Sequence, residues 1–163
     1  MTSAPVPEAL QPQWFLPLFA LMWLVITGLL SCIGGWASLA RAFPARNEVD
    51  GERFRFRSGS LGRRYFPVRY GNCLFVTINQ TGFRLSILFP FRFLSPPIYV
   101  PWDDVVAVEE KRLFFFSYYV LSIRDHWSRI SVRGAPGRSL KEQFEAYHAG
   151  ERSNKSLERT REG

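Results

Sequence analysis

The chain has 163 residues and a formal charge of +7, with 47% hydrophobic and 16% aromatic residues, which excludes a disordered polymer and suits one packed domain. Two cysteines and two histidines are too few for a disulfide framework or a His-built metal centre. The charge is stepped: residues 1–40 hold one acid and no Lys or Arg, whereas residues 41–71 hold eight Arg against three acids, which is not the even basicity of a nucleic-acid-binding chain.

The step begins where an apolar run ends. From Trp14 to Ala40 there are 27 residues without a charge. A bilayer takes about 20 helical residues to cross, so residues 14–40 are predicted as one transmembrane helix, preceded by a short extracytoplasmic N-terminus, residues 1–13. Trp14 and Trp36 would stand about 33 Å apart on it, one in each interfacial belt. A core helix of this length would need a polar face, and a cleaved signal peptide would want Lys or Arg before the apolar run, so a retained anchor is expected. Lys and Arg gather only on the C-terminal side, at Arg41, Arg46, Arg53, Arg55 and Arg57. The positive-inside rule then puts the N-terminus outside and the rest in the cytoplasm of a single-pass membrane protein, where Cys73 stays a thiol. Within the span, Thr27, Ser31 and Gly35 recur every fourth residue, a small-residue stripe that would serve a helix–helix contact in a homo-oligomer, although small residues are common in membrane helices.

Residues 41–52 form a basic juxtamembrane linker, after which the pattern changes to period two. Phe83, Leu85, Ile87 and Phe89 alternate with Arg84, Ser86 and Leu88, and Ile130 and Val132 alternate with Arg129, Ser131 and Arg133, as half-buried strands do. Cys73–Asn79 is a further strand, joined to Phe83 by the turn residues Asn79-Gln80-Thr81-Gly82. Phe54–Arg57, Arg64–Tyr70, Ile98–Trp102, Val105–Glu110 and Phe114–Arg124 bring the total to seven or eight strands, the number of an antiparallel barrel or sandwich. Ser139 and Glu142 form a capping box, Leu140, Phe144 and Tyr147 make one apolar stripe, and Gly150 reads as a C-terminal cap. The fold class is therefore one N-terminal transmembrane helix followed by a mainly-β (α+β) domain over residues 53–150 with a helix from Leu140 to Ala149, and residues 151–163 as a disordered tail.

That order of elements, with Leu74-Phe75-Val76-Thr77-Ile78, the turn to Gly82-Phe83-Arg84-Leu85, and Val100-Pro101-Trp102-Asp103-Asp104-Val105, resembles the pleckstrin-homology-like and GRAM-like domains of bacterial membrane-anchored proteins. The resemblance covers residues 53–149. It implies a PH-like antiparallel barrel that binds or scaffolds, placed at the bacterial inner membrane, with no catalytic residues to carry over. Arg53, Arg55, Arg57, Arg63 and Arg64 flank Ser58–Gly62, as basic residues flank the first hairpin of phosphoinositide-binding relatives.

Enzyme chemistry leaves no trace in the sequence: there is no phosphate loop, H-E-x-x-H, C-x-x-C or G-x-S-x-G. His126 and His148 read as surface histidines, and Asp103-Asp104 as turn residues. No enzyme activity, cofactor, metal or nucleic-acid partner is expected, although Arg and aromatics interleave in RFRFR and RRYF. Two Phe clusters with adjoining cations, Phe91-Arg92-Phe93 and Lys111-Arg112 with Phe115, are the expected bilayer contacts together with Arg41, Arg46, Arg63 and Arg64. The function expected is a cytoplasmic interaction domain that binds a protein partner or the membrane surface. The alternative is a structural or assembly subunit of a membrane complex that works through its transmembrane helix.

Overall fold

The apolar run does not stay on one axis. Helix α1, Pro12–Ile33, stops at the Gly34-Gly35 pair, where Gly35 adopts φ 74°, and a second short helix, α2 (Trp36–Ala42), sets off in a new direction. The computed structural model describes residues 12–45, 50–63, 67–89, 91–113 and 115–161. Among them, Trp14–Ile33 is the one helix long and apolar enough to cross a membrane, and its large side chains stay exposed along most of its length. Trp36 is not at an interface as its spacing from Trp14 suggested. It is 1% exposed, because the glycine turn carries it into the domain core with Leu39 and Ala40.

Seven strands follow: β1 Glu52–Gly62, β2 Pro67–Ile78, β3 Gly82–Ile87, β4 Ile98–Pro101, β5 Val105–Leu113, β6 Phe116–Ile123 and β7 Arg129–Arg133. They form one antiparallel sheet, ordered β4-β3-β2-β1-β7-β6-β5 and curled into a half-barrel. The period-two pattern places most of the core: Phe83, Leu85, Ile87, Ile130 and Val132 are buried and their neighbours face out or sit at the margin, but Phe89, expected to continue the inward face, lies beyond the end of β3 and is 75% exposed. Asn79 makes the β2–β3 turn by accepting the N–H groups of Thr81 and Gly82 at its Oδ1.

Two expected breaks turn out to be irregular strand. Ser58–Gly62 lies inside β1 and pairs with both β2 and β7, and the two strands expected at Arg64–Tyr70 and Cys73–Asn79 form a single β2 over the described residues. Gly71-Asn72 bends β2 without ending it. Asn72 takes φ 50°, its backbone N–H donates to Ser58 Oγ, and the β1–β2 register shifts nearby, the signature of a bulge.

The last helix, α3, runs from Ala135 to Arg161 and is longer than expected at both ends. Gly134, at φ 71°, lets the chain leave β7 and start the helix four residues before Ser139, which is therefore not its cap. Residues 151–161 continue the helix instead of forming a disordered tail, because Glu and Arg are good helix formers and Arg152 Nε donates to the His148 carbonyl across the Gly150 position. Leu140 is fully buried, Phe144 lies 6.3 Å from the Trp102 ring, and Tyr147 donates to Asp103 Oδ1 at 2.8 Å.

Candidate functional site

The C-terminal half of α1 lies against the loop between β3 and β4, and α2 packs beside β4. The loop between β3 and β4 contains a 3-10 turn, Phe91–Leu94, that packs along α1. The Trp23 and Phe91 rings stand 5.4 Å apart, and Ser95 Oγ donates to Ser31 Oγ at 3.3 Å. The same loop accepts the Trp36 indole N–H at the Pro96 carbonyl, 2.8 Å away, so it is held by both helices. After α2 the chain runs beside the β4 edge: Pro44 bridges Ile98, Tyr99 N–H donates to Phe43 O, and Ala45 N–H to Pro97 O. These bonds cover part of an edge that would otherwise offer open donors and acceptors.

The β6–β7 turn closes the junction from the other side. A side chain at Gly35 would run into Ser128 and Trp127, so the helix break is both left-handed and tightly covered. His126 bridges turn and helix. Its Nδ1 accepts the Ser128 backbone N–H at 3.1 Å, which leaves the proton on Nε2 and aims it at Ser38 Oγ, also 3.1 Å away. A serine facing an imidazole invites comparison with a nucleophile and its base, but Nε2 carries the proton here and cannot accept one from Ser38. The pair is a structural bridge. Burial lowers the His126 pKa, in keeping with a neutral ring.

The expected contact residues are distributed as follows. Thr27 and Ser31, 9% and 3% exposed, face this chain's own β3–β4 loop or helix backbone, where a partner helix was expected, and Thr27 Oγ1 donates to Trp23 O. Gly35 faces the β6–β7 turn. Arg41 is exposed on α2, Phe91 is 38% exposed beside α1, and Arg92 is exposed next to it. Arg63 is exposed with its guanidinium 5.0 Å from the Trp127 ring centre. Arg46, Arg64 and the side chain of Phe93 lie outside the described residues. At the β5–β6 hairpin Phe115 is 97% exposed, but Lys111 pairs with Glu109 at 3.1 Å and Arg112 reaches Glu110 at 3.8 Å, so neighbouring acids temper both cations. The two Phe clusters belong to opposite edges of the strand order and do not make one patch by sequence adjacency.

Two other groups stand out chemically. Burial raises the Cys73 thiol pKa, the opposite of what a reactive cysteine needs. The Tyr70 ring lies 5.5 Å from that of Trp36, tilted by 59°, with its hydroxyl buried and without a partner among the described residues, and burial, then the neighbouring Cys73, pushes its pKa to about 12. Neither the Trp36 anchor nor the Ser38–His126 bridge was foreseen; the Gly34-Gly35 pair inside the apolar run was the signal that could have found them. No family model matches this sequence, and no curated protein is similar to it.

Proposed function

We propose that this chain is a single-pass membrane protein whose PH-like domain faces the cytoplasm and binds a protein partner or the membrane surface without catalysing a reaction. The observation that carries the reading is the junction: α1 keeps an apolar surface exposed along most of its length, while Ser31 near its end and Trp36, Leu39 and Ala40 of α2 are buried against the β-domain. A signal sequence that is removed has no need of buried partners such as Ser31 and Ser95, so the contact favours a retained anchor. The strand order and the single helix that caps the sheet over Trp102 support the PH-like assignment. Exposed Phe89, Phe91 and Arg92 on the β3–β4 loop supply apolar and basic groups for a bilayer contact. The assembly-subunit reading loses its main support, since the small-residue stripe is already occupied by this chain's own loop.

Reporter fusions test the orientation: a C-terminal fusion active only in an exported compartment sinks it. Affinity purification from detergent-solubilised membranes tests the rest. Replacing Trp14–Met22 with an unrelated apolar segment should leave the partners recovered unchanged, whereas their loss would return the function to the helix.

A further inference from the structure

On the sheet face opposite the core there is a cleft of about 500 Å³, within the range of small-molecule sites. Ser60 pairs with Ser131 across the β1–β7 ladder in its lining and Gly62 pairs with Arg129, while Tyr118 and Val120 of β6 add an aromatic ring and an aliphatic side chain. Its walls are long and basic. Arg69 comes from β2, Arg129 and Arg133 from β7, Lys111 from β5, and Arg63 from just past β1. Among the described residues the lining holds these five cations and no carboxylate.

Like charges gathered around one cavity repel, and aromatic faces are what hold two of them in place. The Arg63 guanidinium lies 5.0 Å from the Trp127 ring centre and that of Arg133 lies 5.9 Å from Phe116. A ring orients a guanidinium without neutralising it and leaves its fork of N–H donors free. Among the described residues only Lys111 of the five has an acid partner, Glu109. Arg129 and Arg133 stand at the two ends of β7, their backbones about 13 Å apart at the rise of a strand, so their side chains reach the cleft from both ends of the strand. Arg69 lies opposite Ser60 in the β1–β2 register.

We propose that this cleft binds a small soluble ligand carrying two or more phosphate groups, with the arginines taking the phosphoryl oxygens in forked hydrogen bonds and the serine hydroxyls of the lining adding to them. A phosphorylated lipid headgroup shares that chemistry, and the test separates the two sources. The proposal does not rest on the membrane reading, since none of the five cations comes from α1 or α2.

The test is calorimetric titration of the full chain, in micelles of an uncharged detergent, with tripolyphosphate. Saturable micromolar binding is expected, about tenfold weaker for inorganic phosphate and about tenfold weaker again in high salt. The double variant Arg69→Gln/Arg129→Gln should lose at least about tenfold in affinity, while Arg152→Gln on α3 keeps it. Should the double variant melt early, Ser131→Glu, which places a carboxylate in the lining, makes the same test with both arginines in place. No saturable binding, or equal loss in the cleft and α3 variants, overturns the proposal. Binding only to nanodiscs of phosphorylated lipid, without competition by tripolyphosphate, overturns the assignment to a soluble ligand.

Discussion

Single residues at the junction carry chemistry that composition hides. Tyr70 buries a hydroxyl without a partner among the described residues, and an unmade hydrogen bond in a protein interior costs more than a made one returns. Tyr70→Phe should therefore leave stability unchanged or raise it by about 1 kcal/mol, read from denaturant unfolding. His126 gives a pH dependence whose sign follows from its lowered pKa. The unfolded chain takes up the proton more readily, so the stabilising effect of the neutral ring is complete above about pH 6.5 and is lost as pH falls below it. The melting temperature should drop between pH 7.5 and 5.5, and less so in His126→Asn. A reading of the sequence placed this histidine on the surface of a turn, correct for the turn and wrong for the environment, because its partner Ser38 lies 88 positions away. Gly35→Ala combines a left-handed backbone with a site that has no room for a methyl group, and should cost at least about 1–2 kcal/mol.

Elements were legible in proportion to how local their cause is. The strands at Phe83–Ile87 and Arg129–Arg133 announced themselves because alternation is written in adjacent residues and one face of each is buried. The Gly71-Asn72 bulge and the full length of β1 were not legible, since glycine, serine and asparagine mark a turn in one context and a bend in a paired strand in another. Helix α3 was recognised by its apolar stripe but shortened at Gly150, where the exposed polar turns that follow carry the helix on. The cleft was invisible because its arginines come from separate strands that only the ladder brings together. The energetic weight of α3 sits in its first half. Leu140→Ala should cost about 2–5 kcal/mol, while Leu157→Ala, on an exposed turn, should change the unfolding midpoint little.

At the scale of the whole molecule, the boundary between anchor and domain is not where charge and hydropathy put it. Trp36 and Leu39 belong to the β-domain core although they lie in the uncharged run. A fragment beginning at residue 47 lacks both, a loss of several kcal/mol against a total of about 5–15, and should fail to melt cooperatively. A fragment beginning at residue 34 keeps them and should melt as one unit. The contact between Trp23 and Phe91 has a different consequence. Trp23 lies about 15 Å up α1 from Ile33, half the thickness of the hydrocarbon layer. With α1 across a bilayer, the part of the β3–β4 loop that meets Trp23 lies beside it within one leaflet. Extra cross-section is then added to one leaflet and none to the other. A chain so placed is a one-sided wedge, and it should collect where that leaflet is stretched, on the outer surface of small, tightly curved vesicles in preference to large flat ones.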